Sequence, residues 1–303
     1  MPLIRVNLQD TGLALHDSPA PALPALRRAA MRGDGPVIVM VHGFKFRPGD
    51  GLDCPHEHIF SFGGHPCRKA KSWPKGLGIG AEQDTLGVAY GWNAKGMIWT
   101  AYAQAAEAGA GLARTIRELR RAAPHRPVHA IAHSLGARVV LQALRHLEPG
   151  DVTRVISLNG AEFRGAAQEA LGAPAGRTAE LIAVTARENA GVDLLFERLV
   201  APAQRGDRAM GWGLAEAPGR VMLRLDRAGV SAHLARLGFP LAPHRRLFCH
   251  WSPYLREGTM ALYAALMRQP DRLPLEALRI AEPDGDRVAM PSLPLPMGSN
   301  APS

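Results

Sequence analysis

Short apolar runs alternate along the chain with longer stretches in which apolar residues recur every three or four positions. The apolar runs predict strands at 36–43, 86–92, 128–134, 152–160, 181–186 and 220–226, because near-continuous apolar character is typical of parallel strands covered on both faces. The periodic stretches predict amphipathic helices at 99–123, 135–147 and 257–268. Residues 2–16 favour an antiparallel hairpin at the sheet edge. The pattern predicts the α/β class, a mostly parallel central sheet with helices on both faces.

Two regions break this alternation. Residues 45–82 form a connection far longer than the usual link between a strand and a helix, and such loops are usually functional. The segment after Gln269 is Pro-rich and has no periodic pattern. We predict a single domain over 1–268, with a long loop insert at 45–82 and a cap-like insert at 204–248, followed by a C-terminal tail at 269–303.

Composition limits the classes of function. The 303 residues are 47% hydrophobic, enough for a large core. The net charge of +9 invites a nucleic-acid partner, but the arginines are dispersed and no aromatic-basic binding motif accompanies them, so we expect no nucleic acid. The three cysteines form no regular framework, and no apolar run reaches the ~18 residues of a membrane span. We expect a soluble cytoplasmic protein without stable membrane insertion.

One serine stands at a junction between a predicted strand and a predicted helix. Ser134 lies in Ala-His-Ser-Leu-Gly (132–136), where small residues two before and two after it permit a sharp turn that projects its Oγ. The helix amino terminus favours developing negative charge, and the Leu135 N–H is placed to donate to an oxyanion. The alternative interpretation is an ordinary N-cap serine.

Six segments, HGFKF, SWPKGLGIG, GWNAKGMIW, AHSLGARV, ARENAGVDLLFE and CHWSPYLREG, together with the strand order, resemble the α/β-hydrolase superfamily and a group of little-characterised bacterial hydrolases within it. The resemblance covers roughly residues 36–268 and implies the α/β-hydrolase fold with a triad in the order serine, acid, histidine. It implies that the loop after the strand at 36–43 supplies the second oxyanion N–H, from Phe44 or else from Lys45. It assigns His42 to support of that turn.

The resemblance places the catalytic base late in the chain, just before the final helix. His233, His244 and His250 lie there, and His250 is in the matching loop. We interpret His233 as a helix-surface residue.

The triad acid is expected in the loop after the strand at 181–186. Asp193 is the first choice and Glu188 the alternative, with Glu162 a more remote one. The related sequences carry an aspartate where this chain has Ala190, and a second at the place of Asp193. Asp193 also fits an N-cap for the helix that follows.

The loop insert holds a cluster of residues that could ligate zinc, namely Cys54, His56, His58, His65 and Cys67. Their spacing matches no familiar structural site, so we favour a substrate-covering loop packed by Phe60, Phe62 and Trp73, and expect no metal or other cofactor.

The expected function is a serine hydrolase that cleaves carboxylic esters with apolar, short to medium acyl groups through an acyl-enzyme. The partner is then a small-molecule ester. The same residues would support an acyltransferase or thioesterase, and a catalytically silent α/β-hydrolase scaffold is a third alternative. The sequence does not indicate the oligomeric state.

Overall fold

The computed structural model describes residues 2–18, 20–81, 84–243 and 247–280. One sheet of eight strands runs through these residues in the order β2-β1-β4-β3-β5-β6-β7-β8. The strands are β1 Leu3–Gln9, β2 Gly12–Leu15, β3 Val37–Val41, β4 Leu86–Gly91, β5 Val128–His133, β6 Arg154–Leu158, β7 Glu180–Thr185 and β8 Arg220–Arg224. β2 is antiparallel to β1 at the edge, and the other neighbouring pairs are parallel. The predicted edge hairpin and parallel sheet are confirmed.

Helices follow most of the strands. They are α1 Ala22–Ala30, α2 Trp73–Gly76, α3 Ile98–Ala122, α4 Leu135–Leu144, α5 Arg164–Gly172, α6 Pro174–Thr178, α7 Ala190–Leu199, α8 Ala228–Arg236, α9 Ser252–Leu255 and α10 Thr259–Arg268. The three helices predicted from periodicity correspond to α3, α4 and α10. The segment at 204–248 contributes the last strand, β8, and α8.

Two hydrophobic cores lie on opposite faces of the sheet. One is formed with α1, α3, α4 and α5, and the other with the 45–82 segment, α8 and α10. Side chains of a strand alternate between them, so that Val39 of β3 belongs to the first core and Met40 to the second. The sheet is therefore covered on both faces, as predicted.

Residues 45–81, the described part of the loop insert, pack closely against the rest of the protein. Phe60 and Trp73 are fully buried and in edge-to-face contact, and Trp73 also contacts Tyr254, whereas Phe62 is 37% exposed. The segment thus lies against the sheet next to α9. Beyond α10, Leu273, Leu275 and Leu278 are also buried, and residues 281–303 of the predicted tail lie outside the described residues.

None of the helices described is both long enough and apolar enough to cross a membrane.

Candidate active site

Ser134 occupies a tight turn between β5 and α4. Its backbone has φ 55° and ψ −126°, a left-handed conformation that a residue with a Cβ rarely adopts. Its N–H donates to Leu158 O, and its carbonyl accepts from the N–H groups of Ala137 and Ala161. The side chain makes no capping hydrogen bond, so the N-cap interpretation of Ser134 is not supported. The turn instead holds the hydroxyl at the carboxyl end of the sheet.

Two glycines make this close turn sterically feasible. A Cβ on Gly136 would lie 2.6 Å from the carbonyl oxygens of Val41 and His42, which shows how closely α4 approaches the end of β3. A Cβ on Gly43 would lie 2.7 Å from the Cβ of Ser134. The His-Gly loop therefore passes directly beside the serine side chain.

Two N–H groups near the serine remain unused. In the described part of the chain, neither Phe44 N–H nor Leu135 N–H donates to a protein acceptor, whereas Lys45 N–H donates to Ala94 O over 2.9 Å. Lys45 is thereby disfavoured as the second oxyanion donor. The two free donors belong to the residue after Gly43 and to the first residue of α4, the positions expected for an oxyanion hole.

His42 stabilises the loop that carries Phe44. Its Nδ1 contacts Gly43 O at 3.0 Å, and Trp92 N–H donates to its Nε2 over 3.1 Å. Burial lowers the pKa of His42 to about 4. Both ring nitrogens are thus engaged by backbone groups, in agreement with its predicted role as a support of the turn.

His250 lies in the loop before α9, and its backbone is held by residues at the carboxyl ends of β5 and β6. Its carbonyl accepts hydrogen bonds from His133 Nε2 at 3.0 Å and from Asn159 Nδ2 at 2.8 Å. The His133 and His250 rings are 4.5 Å apart between centroids. Because His133 directly precedes Ser134, these contacts bring the predicted base to the same edge of the sheet as the predicted nucleophile.

The His250 ring contacts an amide. Its Nδ1 lies 2.6 Å from Asn189 Oδ1, and Asn189 Nδ2 donates to Asp193 Oδ1 over 3.0 Å. Burial raises the pKa of Asp193 to about 7, although the hydrogen bond from Asn189 acts to lower it. Burial and, to a smaller extent, the His133 ring lower the pKa of His250 well below its ordinary value. Asp193 is thus linked to His250 through one intervening residue.

The other candidate acids have different surroundings. Glu188 is buried, and its backbone carbonyl accepts from Cys249 N–H. Glu162 Oε1 accepts from Tyr102 Oη at 2.5 Å and Oε2 accepts from Arg138 Nη1 at 2.5 Å, which places its carboxylate in a network beneath α3.

The N-cap interpretation of Asp193 is wrong. α7 begins at Ala190, so Asp193 is the fourth residue of the helix, and it is 5% exposed. The physical reason is that a short 3₁₀ turn at Arg187–Asn189 leads directly into α7, which therefore starts earlier than its apolar pattern suggested.

Ser134 Oγ and His250 are not hydrogen-bonded to each other. In the described residues, Ser134 Oγ has no side-chain hydrogen bond, and the Nε2 edge of His250 is the edge not taken by Asn189. Catalytic hydrogen bonds are often long without substrate and tighten in the complex.

Sequence reasoning missed Asn189, His133 and Asn159. Asn189 stands in the Arg-Glu-Asn segment directly after β7, where an acid was sought, and an amide carries no acid signature. Asn159, which follows β6, has φ 43°, a conformation that asparagine tolerates. All three residues are polar and lie at or just after the carboxyl end of a predicted strand, namely β5, β6 or β7. That position is the signal by which the sequence could have indicated them.

Of the two other late histidines, His233 lies on α8, and its Nε2 contacts Ala277 O at 2.7 Å, away from the site. His244 lies outside the described residues.

The histidines of the loop insert that were considered as zinc ligands have separate partners. His56 Nε2 contacts Asn7 Oδ1 at 2.8 Å, and the His58 and His65 rings are 4.5 Å apart. Across the described ranges, no group of three or more His, Cys, Asp or Glu side chains is arranged to hold a metal ion.

Comparison with known proteins identifies the class. Residues 25–159 match a family model described as "Alpha/beta hydrolase of unknown function (DUF900)". The matched region contains the sheet from β3 to β6, the His-Gly loop and the serine elbow. Together with the strand order, this match makes the chain a member of the α/β-hydrolase superfamily, with the α/β-hydrolase fold. Its general class is a hydrolase. The match ends before Asn189, Asp193 and His250.

Solved structures offer more distant likenesses. A Trichoderma reesei cutinase bound to a phosphonate inhibitor aligns at 11% identity and TM-score 0.24, over 45% of this chain and 64% of the cutinase, slightly less than two thirds of its length. TT1662 from Thermus thermophilus aligns at 16% identity and TM-score 0.35, over 68% of this chain and 87% of that one. A lipase-esterase related protein from Clostridium acetobutylicum aligns at 11% identity and TM-score 0.28, over 56% and 83%. No curated protein matches the sequence.

Proposed function

We propose that the protein is a serine hydrolase that cleaves carboxylic esters through an acyl-enzyme. The observation that carries the proposal is the strained turn that holds the Ser134 hydroxyl without a capping bond, next to two unused backbone N–H groups. A backbone outlier at the end of a parallel strand is the geometry of a nucleophile elbow. His250, anchored to the same edge, is the base that this nucleophile requires.

In this mechanism His250 Nε2 accepts the Ser134 hydroxyl proton while Oγ attacks the ester carbonyl. The N–H groups of Leu135 and Phe44 stabilise the resulting oxyanion. His250 then donates the proton to the leaving alkoxide, which departs as the alcohol. Water, deprotonated by the same imidazole, hydrolyses the acyl-enzyme and restores the hydroxyl.

Apolar surface beside the site supports an apolar acyl group. Leu247 and Phe248, just before His250, are 98% and 61% exposed. Phe248 lies against α7, since a Cβ on Gly191 would be 2.9 Å from its ring. Esters with short to medium uncharged acyl groups fit such surroundings better than charged substrates do. A cleft of about 390 Å³ lined by Glu216–Pro218, Glu276 and Arg279 lies at the opposite end of the strands and holds none of these residues.

Substitution of Ser134 tests the proposal directly. A panel of nitrophenyl esters from acetate to palmitate should give turnover with the wild type, and Ser134→Ala should reduce it by more than about 100-fold, because the nucleophile is lost. A fluorophosphonate should label the wild type once and leave Ser134→Ala unlabelled. Ser157→Ala is the matched control, since Ser157 is a buried serine of the neighbouring strand β6 whose hydroxyl has no partner in the described residues.

Retained turnover in Ser134→Ala would refute the nucleophile. A wild type that neither turns over esters nor takes the label would instead favour the silent scaffold. Labelling without ester turnover would point to acyl transfer or thioester cleavage by the same residues.

A further inference from the structure

The residue that faces His250 Nδ1 is a neutral amide, where a serine triad ordinarily has a carboxylate. Asn189 is 1% exposed. Its side chain has two hydrogen-bond partners in the described residues, His250 and Asp193. The carboxylate of Asp193 lies on the far side of that amide. This order of groups, imidazole, amide, carboxylate, determines what each can do.

A primary amide has a donor end and an acceptor end, whereas an ionised carboxylate can only accept. Burial raises the pKa of Asp193 to about 7, so the carboxylate is ionised above that pH. Asp193 Oδ1 then takes the Nδ2 end of Asn189, at 3.0 Å, and the Oδ1 end must face His250. An amide oxygen 2.6 Å from Nδ1 requires Nδ1 to be the protonated nitrogen. Nε2 is then left with its lone pair, as a general base needs.

The opposite amide orientation would be costly. It would direct the Asn189 oxygen at the Asp193 carboxylate, leaving two buried acceptors facing each other. It would also present an N–H to Nδ1 and move the ring proton to Nε2, the tautomer that cannot take a proton from serine. Asp193 itself is held closely, because a Cβ on Gly211 would lie 2.5 Å from its Oδ2.

We propose that Asn189 is the positioning residue for His250, and that Asp193 acts on His250 only through Asn189 by fixing the orientation of its amide. This inference rests on the proposed serine hydrolase function. It assigns the place of the triad acid to a neutral residue and moves the carboxylate one hydrogen bond away.

The charges around these groups bear on any pH effect. His250 faces His133 from β5, and Asp193 faces Glu197 on its own helix and Arg224 from β8. None of these is a carboxylate in hydrogen-bond contact with His250. A carboxylate in such contact favours the imidazolium and raises the histidine pKa by 1 to 3 units, typically.

Replacing Asn189 by aspartate provides the test. We expect Asn189→Asp to raise the pKa of His250 and move the acidic limb of the kcat/KM profile to higher pH by about one unit or more. Asn189→Leu should lower kcat by about 100-fold or more with KM little changed, because the tautomer is no longer selected. Asp193→Asn should lower kcat by a smaller factor, about 10-fold, since a second amide can still bond Asn189 but no longer selects its orientation.

Asp207→Asn is the matched control, because the Asp207 carboxylate accepts only the backbone N–H groups of Gly165 and Arg208 in the described residues. It should leave kcat and the pH profile unchanged. A loss in Glu188→Gln larger than that in Asn189→Leu, or an acidic limb that does not move in Asn189→Asp, would overturn the proposal.

A measurement independent of turnover separates this inference from the proposed function. At pH 8.5, where Asp193 is ionised, the ¹⁵N shifts of the His250 ring should show the Nδ1–H tautomer in the wild type and a mixture in Asp193→Asn. An Nε2–H wild-type ring, or one unchanged in Asp193→Asn, would refute the positioning role even if Ser134 is the nucleophile. If the ring behaves as expected in a protein without esterase activity, the proposed function fails and the positioning role stands.

Discussion

At the scale of single residues, the backbone conformation of Ser134 says most about function. A φ of 55° with ψ −126° is accessible to glycine at little cost but strained for serine. The strain persists because the N–H and carbonyl of Ser134 are both held by neighbouring backbone groups. The molecule therefore keeps a residue with a side chain where stability alone would favour glycine, and this supports a functional role for the hydroxyl.

Glycine at this position should stabilise the fold and abolish the chemistry. We expect Ser134→Gly to have a free energy of unfolding about 1 kcal/mol higher than Ser134→Ala, since the strain of a Cβ in this region outweighs the extra entropy of glycine in the unfolded chain. Urea unfolding of the two variants at pH 7.5 measures the difference. Equal stability of the two would show that the turn stores no strain from the Cβ.

At the same scale, the sequence shows which residues can be found without a structure. Ser134 stands out because small residues flank it, and the resemblance singles out His250 just before the last helix. Asn189 could not be found in this way, because its place beside His250 depends on a 3₁₀ turn and on α7 starting at Ala190. The residue at which a helix begins decides which side chains come within hydrogen-bonding distance. Apolar periodicity locates that residue only to within a few positions.

At the scale of elements, the sheet was predictable and the loop insert was not. β3 is a continuous apolar run, and β5 and β7 are mostly apolar. Their burial on both faces is what such runs indicate. The 45–82 segment packs through scattered aromatic side chains, such as Phe60 and Trp73, which have no periodic spacing. Their packing depends on surfaces supplied by α9 and the sheet, so the local sequence does not encode it alone.

One buried arginine ties three elements together at the amino end of the sheet. Arg126 is 1% exposed, and its guanidinium donates to Gly35 O, Ala30 O and Asp84 O at 2.6, 2.9 and 2.7 Å. These carbonyls lie at the end of α1 and just before β3 and β4. The planar fork of arginine satisfies all three together.

Removing that fork should destabilise the fold without affecting the chemistry. We expect Arg126→Met to lower the free energy of unfolding by about 3 kcal/mol or more, because buried carbonyls lose their donors, and Arg126→Lys to recover only part of it. Urea unfolding measures both, with exposed Arg28→Met as the control. Ester turnover at low temperature should persist, since Arg126 lies at the end of the sheet opposite the serine. If Arg126→Met lowered the free energy of unfolding by less than about 1 kcal/mol, the guanidinium would not hold the three elements together.

At the scale of the whole molecule, buried histidines make the fold sensitive to acid. Burial lowers the pKa of His42, His129 and His133 to about 4 each, against 6.5 for an ordinary histidine. Between these values the unfolded chain binds more protons than the folded one, so these groups make stability fall as pH falls from 6.5 to 4. Asp193 acts oppositely, since its pKa rises from 3.8 to about 7. Burial also lowers the pKa of His56, His58 and His250. These histidines together outweigh one carboxyl group, so we expect a net loss of stability toward acid.

His129 isolates one part of this effect. It is fully buried in β5, and neither ring nitrogen has a hydrogen-bond partner among the described residues. His129→Leu should therefore raise the free energy of unfolding at pH 7.5 by about 1 to 2 kcal/mol, since a buried unpaired polar group is removed. It should also reduce the pH dependence between 6.5 and 4 by up to about 1.4 kcal/mol per pH unit, the contribution of one proton. Urea unfolding at pH 7.5, 6 and 5 measures both changes.

His129→Gln separates the two changes, because glutamine does not titrate but keeps buried polar atoms. This variant should lose the same pH dependence without the gain in stability at pH 7.5. A variant less stable than the wild type at pH 7.5, or one with an unchanged pH dependence, would show that His129 has a partner or a proton in the folded protein.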